Sequence, residues 1–204
     1  MSDNSDPSAK VLQGMQEHIH RTLETVKQID LPVLMRLVDR LYEAYEAGRR
    51  VFTFGNGGSA ATASHMAEDL AKGVLKDMSV PKRLRVMSLS DSIPFISALG
   101  NDCGYESIFR EQLVTHAQPG DIAIAISGSG NSPNVLSAIK WAKENGLFTC
   151  GFTGFNGGKL KAMVDLSIHS PVLDMEVAEN CHVIEVHLLV GGLREKLNPS
   201  VQVG

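Results

Sequence analysis

The 204-residue chain predicts an α/β fold of three layers: a five-stranded parallel sheet between helices, preceded by a helical hairpin. Three observations predict it. Short apolar runs alternate with stretches of helical periodicity, the pattern of a parallel sheet covered on both faces. One run, Ile122-Ala123-Ile124-Ala125-Ile126, is continuously apolar, as a strand buried on both faces must be. Two runs end in glycine- and serine-rich turns that lead directly into helices, and in such sheets ligands bind beyond the carboxyl ends of the strands.

Each element follows in order. Residues 1 to about 8 are polar and expected to be disordered. Val11, Leu12, Met15, Ile19, Leu23 and Val26 recur at steps of three and four, marking an amphipathic helix. Asp30-Leu31-Pro32 breaks it. Leu34, Leu37, Val38, Leu41, Tyr42 and Tyr45 mark a second helix, ended by Gly48. Two helices before the first strand cannot both cover the sheet, so the hairpin is expected to pack partly on the sheet and partly on another subunit. Val51-Phe52-Thr53-Phe54 is the first strand. It breaks at Gly55-Asn56-Gly57-Gly58, and Ser59 is the expected N-cap of a small-residue helix.

A polar loop over 73–83 leads to a second strand, 84–89. Ser90-Asp91 is expected to cap a short helix that Gly100-Asn101-Asp102 stops, and 105–117 reads as one more helix. The buried run at 122–126 is followed by Ser127-Gly128-Ser129-Gly130-Asn131-Ser132, with Pro133 in the first turn of the next helix. A fourth strand over 148–153, a short helix through Leu160 and Met163, a fifth strand over 164–168 and a largely apolar helix over 177–196 complete the pattern. A single domain over 9–197 with a loose tail at 198–204 is expected.

Composition narrows the function. The net charge is −4 and no basic run is long, which argues against a nucleic-acid surface. No stretch of about 18 apolar residues is present, so no membrane span is expected. The first ten residues lack the apolar core of a signal peptide. Cys103, Cys150 and Cys181 are odd in number and widely spaced, and fit free thiols of a reducing cytoplasm.

Both glycine turns have the makings of an anion cradle. Free N–H groups of a first helical turn, the positive end of its dipole, side-chain-free glycines and the hydroxyls of Ser59, Ser127, Ser129 and Ser132 all suit a phosphate. His65 and Asp69, four apart, share a face of the helix that follows the first turn. The last helix carries Glu176, Glu179, His182, Glu185 and His187, which need partners if buried. His65, Asp69, Glu179 and His187 would make a four-donor site suited to zinc or another divalent ion. Glu179 and His187 are about 12 Å apart along the helix, so an ion must lie between them, and Glu179 with His182 is the easier pair. The alternative is a salt-bridged cluster of core histidines.

The segments GNGGSAATASHMAEDL, Gly100-Asn101-Asp102, SGSGNSPNV, GFTGFNGGKL and ENCHVIEVH, in this order, resemble the SIS (sugar isomerase) domain and, within it, the phosphoheptose isomerases. The resemblance implies conversion of sedoheptulose 7-phosphate to heptose 7-phosphate by a cytoplasmic homotetramer with active sites between subunits and a zinc ion. It implies catalytic roles for Asp69 and His187. Substrate binding would fall to Asn56, Gly57, Gly58, Ser59, Asn101, Asp102, Ser127, Gly128, Ser129, Ser132 and Glu179, and a metal to His65, Asp69, Glu179 and His187. The chain departs from the family where glutamate has become Asp69, glutamine Glu179 and aspartate Glu176, and where Gly128 replaces the middle residue of a Ser-Thr-Ser loop. Two other readings stay open: an isomerase of another sugar phosphate, and a non-enzymatic SIS tetramer that binds a protein partner, of the replication initiator-associating type.

Overall fold

The computed structural model describes residues 7–198. Its five strands are β1 (Arg50–Gly55), β2 (Arg85–Ser88), β3 (Ile122–Ser127), β4 (Phe148–Thr153) and β5 (Leu166–His169). All pair in parallel, in the order β2-β1-β3-β4-β5. The helices are α1 (Pro7–Val26), α2 (Leu31–Ala47), α3 (Gly58–Glu68), α4 (Ile93–Asp102), α5 (Arg110–His116), α6 (Pro133–Glu144), α7 (Gly158–Met163) and α8 (Met175–Leu197). Among the described residues no helix is long and apolar enough to cross a membrane.

Strand periodicity sorts the core into two halves. Ile122, Ile124 and Ile126 of β3 face one side, where α2, α3 and α8 pack through Leu37, Leu41, Met66, Val186 and Leu189. Ala123 and Ala125 face the other side, where small residues let α6 approach with Ala138, Ile139 and Ala142. Of the hairpin, α2 covers the sheet. By contrast α1 lies against α8 with Val11, Leu12, Met15, Ile19 and Leu23 each more than half exposed.

The strand order matters for function. The chain leaves β1 toward β2 on one side and enters β3 on the other, so the switch point lies between β1 and β3. Gly55 pairs with Ile126 at their carboxyl ends, and a crevice opens there.

Local boundaries differ from the sequence reading for identifiable reasons. The cap of α3 is Gly57, at φ +55°, which leaves Ser59 as the second residue of the helix's first turn. Ser92, not Ser90-Asp91, precedes α4. Gly100, Asn101 and Asp102 remain helical, and the stop is Gly104, whose φ of +84° favours glycine. The expected helix over 105–117 divides into a 3-10 turn, Tyr105–Ser107, and α5. Pro7 and Ser8 already belong to α1, while the rest of the expected disordered N-terminus lies outside the described residues. Asn198 is anchored rather than loose, since its amide donates to Val74 O and Arg194 O; residues 199–204 lie outside the described ones.

Candidate active site

Adjacent pairing of β1 and β3 sets the two glycine turns side by side. Together they line a cavity of about 280 Å³ bounded by Asn56, Gly57, Gly58, Ser59, Ser127, Gly128, Ser129, Ser132, Met175 and Glu179. The first turn of α3 opens into it with Gly58 and Ser59, and Ser132, the cap of α6, lines the other side, so the N-terminal ends of two helix dipoles flank one space. Ser127 and Ser132 hydroxyls lie 3.4 Å apart. A larger cavity of about 610 Å³ lies along the β2 edge, against Val86, Phe95 and His116, but neither glycine turn reaches it.

The Glu179 carboxylate is seated over the start of α3. A Cβ built on Gly58 would stand 2.5 Å from Oε1, so a side chain there would push the carboxylate from this seat. A carboxylate is favoured there for the reason a phosphate is: the helix N-terminus is positive.

Further along α3 the chain makes a second constellation. His65 Nε2 lies 3.2 Å from Asp69 Oδ2, and His187 Nε2 lies 3.9 Å from the same oxygen. The two imidazoles meet edge to face with centroids 5.0 Å apart. One donor atom from each of the three residues fits within 4.8 Å of the others. Two imidazoles and a carboxylate are the donor chemistry of zinc-type sites, and their half-exposed rings leave an open side for a ligand. Asp69 begins a π-helical turn, Asp69–Gly73, that ends α3. Such turns recur at functional sites because the extra residue re-aims the side chains around it. Gly73 leaves space beside Asp69 Oδ1.

Of the four expected donors, Glu179 stands apart from this cluster and lines the cradle instead. The helix spacing noted in the sequence explains the separation: eight residues on α8 place Glu179 and His187 about 12 Å apart. Because Gly58 meets Glu179 while His65 and Asp69 meet His187, α3 and α8 run side by side in the same direction. The cradle and the His-Asp-His cluster thus lie along the same pair of helices, about 10 Å apart along α3.

Not every expected residue joins it. Asn101 and Asp102 are exposed at the end of α4, where Asn101 Nδ2 donates to Asp102 Oδ1 at 2.8 Å, and neither lines the cavity. Glu176 is exposed at the start of α8. His182 and Glu185 are buried, yet they form no salt bridge. Among the described residues neither His182 nitrogen has a hydrogen-bond partner of good geometry, and Glu185 accepts one bond, from Ser170 Oγ at 3.1 Å. Burial pulls the His182 imidazole down to about 4 and pushes the Glu185 carboxyl up to about 7.

Sequence reading missed two residues beside the cradle. Asn134 is buried and bonded to Asn56, and Tyr105 donates to Asn56 Oδ1 at 3.1 Å. An asparagine just after a helix-starting proline was the available signal for the first. Nothing in the sequence pairs Tyr105 with a residue 49 positions away.

A family model for the SIS domain matches residues 16–154. A phosphoheptose isomerase of Pelobacter propionicus is 38% identical over 161 residues, covering 78% of this chain and 84% of the relative. One from Rhodospirillum rubrum is 37% identical over 166 residues, covering 81% and 87%. Among solved structures, the phosphoheptose isomerase of Francisella tularensis superposes with a TM-score of 0.84 at 26% identity, over 93% of this chain and 99% of that one. Phosphoheptose isomerase GmhA of Neisseria gonorrhoeae gives 0.82 at 26% identity, over 92% and 98%.

Proposed function

The chain belongs to the SIS domain family, among the phosphoheptose isomerases, and on that premise we propose that it interconverts sedoheptulose 7-phosphate and heptose 7-phosphate through an enediolate. The observation that carries this reading is the pair of donor sets spaced along the neighbouring helices α3 and α8. An anion cradle sits at one end and a paired imidazole–carboxylate at the other, about 10 Å away, a span that suits an extended sugar phosphate.

The cradle binds the remote phosphate, and that binding energy positions the carbonyl end. In the ketose-to-aldose direction a proton leaves C1 while the C2 oxygen gains one. A proton then returns to C2 as the O1 hydroxyl loses its own, leaving the aldehyde. Asp69 and His187 divide these acid and base roles, being the carboxylate and imidazole at the reacting end. His65, in contact with both, orients them. A zinc ion held by His65, Asp69 and His187 would supply positive charge that polarises the sugar oxygens.

The exposed apolar stripe of α1 supports a homotetramer, in which a second copy covers Val11, Met15 and Ile19. A monomer by sedimentation would reject that assembly. Three free cysteines, two of them buried, fit a cytoplasmic protein.

The test is turnover of sedoheptulose 7-phosphate, followed by NMR beside a panel of other ketose phosphates. Asp69→Asn and His187→Ala should abolish turnover while phosphosugar binding stays measurable. Near wild-type rates in either variant would reject the assignment. Turnover of a different ketose phosphate alone would reject the substrate.

A further inference from the structure

Above the last β1–β3 pair, Gly55 with Ile126, the two turns of the cradle share no backbone hydrogen bond among the described residues. Something else must fix their spacing. Asn56 Nδ2 donates to Asn134 Oδ1 at 2.9 Å, and Asn134 Nδ2 donates back to Asn56 Oδ1 at 2.8 Å. This reciprocal amide pair ties the turn after β1 to the first turn of α6, across 78 residues of sequence. Asn134 is 2% exposed, so its bonds are sheltered from competing water.

The orientation of both amides is determined. Val135 N–H can only donate, and it donates to Asn134 Oδ1 at 3.0 Å. That fixes the Asn134 amide, and the Asn134 amide fixes that of Asn56. Tyr105 O–H then fills the second acceptor site of Asn56 Oδ1. An asparagine side chain offers two acceptor sites and two donor hydrogens. Asn56 has therefore used both acceptor sites and one hydrogen, and it retains one N–H for the cavity it lines.

We propose that Asn134 is a positioning residue for the substrate's phosphate: it acts through Asn56 to hold the two halves of the cradle at binding distance and to keep the Asn56 amide presenting its donor. This rests on the reading of the cradle as the phosphate site of the proposed isomerase. Asn134 itself does not line that cavity, so its effect on a ligand must pass through Asn56.

Inorganic phosphate is the probe, titrated calorimetrically into the wild-type protein, Asn134→Ala, Asn56→Ala and the double variant. Asn134→Ala should weaken phosphate binding about tenfold, the worth of the lost amide bonds. In turnover it should raise KM by a similar factor with kcat within about threefold. The double variant should bind no more weakly than Asn56→Ala alone, because both changes break one connection. A merely structural role predicts a lowered melting temperature with phosphate affinity intact, and that result overturns the proposal. So do additive losses. If Asn134→Ala does not fold, Asn134→Ser decides by the same affinity measurement, since its hydroxyl can still accept from Val135 N–H while losing the amide pair. A wild-type protein that binds phosphate but turns over no ketose phosphate defeats the isomerase reading and leaves this one standing. A wild-type protein that binds no phosphate defeats both.

Discussion

Replacing Glu185 by glutamine should change how stability depends on pH, by an amount the structure fixes. Glu185 is 1% exposed on α8; Ser170 Oγ bonds one carboxyl oxygen and the other has no partner. Burial pushes its carboxyl from 4.5 up to about 7, against the opposing effect of the Ser170 bond. The folded state thus prefers the protonated acid. Its contribution to stability is complete below pH 4.5 and is lost as pH rises through 7. At about 1.4 kcal/mol per unit of displacement, the loss is about 3 kcal/mol.

His182, three residues earlier and fully buried, behaves oppositely. Burial lowers its imidazole from 6.5 to about 4, so its contribution is complete above pH 6.5 and is lost as pH falls through 4. Between about pH 4.5 and 6.5 the two slopes cancel and the wild-type protein should be nearly indifferent to pH. Glu185→Gln removes one slope and exposes the other. The variant should gain about 3 kcal/mol relative to wild type between about pH 4.5 and 8, and its own stability should climb with pH until about 6.5. Urea unfolding across that range, at one protein concentration because an oligomer's stability depends on it, measures the difference. A stability difference that stays constant with pH would refute the reasoning. The surroundings of Glu185 bear on its neighbours too: burial and the carboxylate charge push the Cys181 thiol up to about 11, and Cys150 higher still, so both thiols should resist alkylation until the protein unfolds.

Glu179→Gln keeps the side chain's length and removes a charge seated where phosphate must come. Like charges about 5 Å apart repel by roughly 0.8 kcal/mol in bulk water and by about 3 kcal/mol at the effective dielectric of a protein surface, so inorganic phosphate should bind at least about fourfold more tightly, a change read directly by calorimetry. His65→Ala removes one of three metal donors. Metal content after purification should fall well below that of wild type, and elemental analysis of the two proteins side by side checks it; equal metal in both would place the ion elsewhere.

Much of this architecture was legible because it follows from periodicity and turn chemistry. The β3 run needed no tertiary information: five apolar residues bounded by Asp121 and Ser127 can only be a strand with two buried faces. The glycine turns were legible for the same reason, since Gly57 and Gly130 sit at positive φ and Gly130 has Gly157 O directly against its missing Cβ. What sequence could not show is which turns become neighbours. That depends on strand order, and β1 lies beside β3 only because the chain reverses direction across the sheet. The Asn56–Asn134 pair is a consequence of that reversal, which local pattern does not record.

The separation of Glu179 from the His-Asp-His cluster has the same origin. On an isolated α8, Glu179 and His187 are two carbon-chain reaches apart, and nothing in that helix says which neighbour each will meet. Packing α3 alongside in the same direction settles it: Gly58 meets Glu179, and about three turns later, where the π-turn starts, Asp69 meets His187. Asp69 keeps the regular helical bearing, its N–H bonded to His65 O, so the i,i+4 spacing sets it against His65, and the π-turn that starts there redirects the residues after it. The proposed anion cradle is thus built from backbone, which sequence announces through glycine and serine. The His-Asp-His cluster is built from the relative placement of two helices, which only the fold supplies.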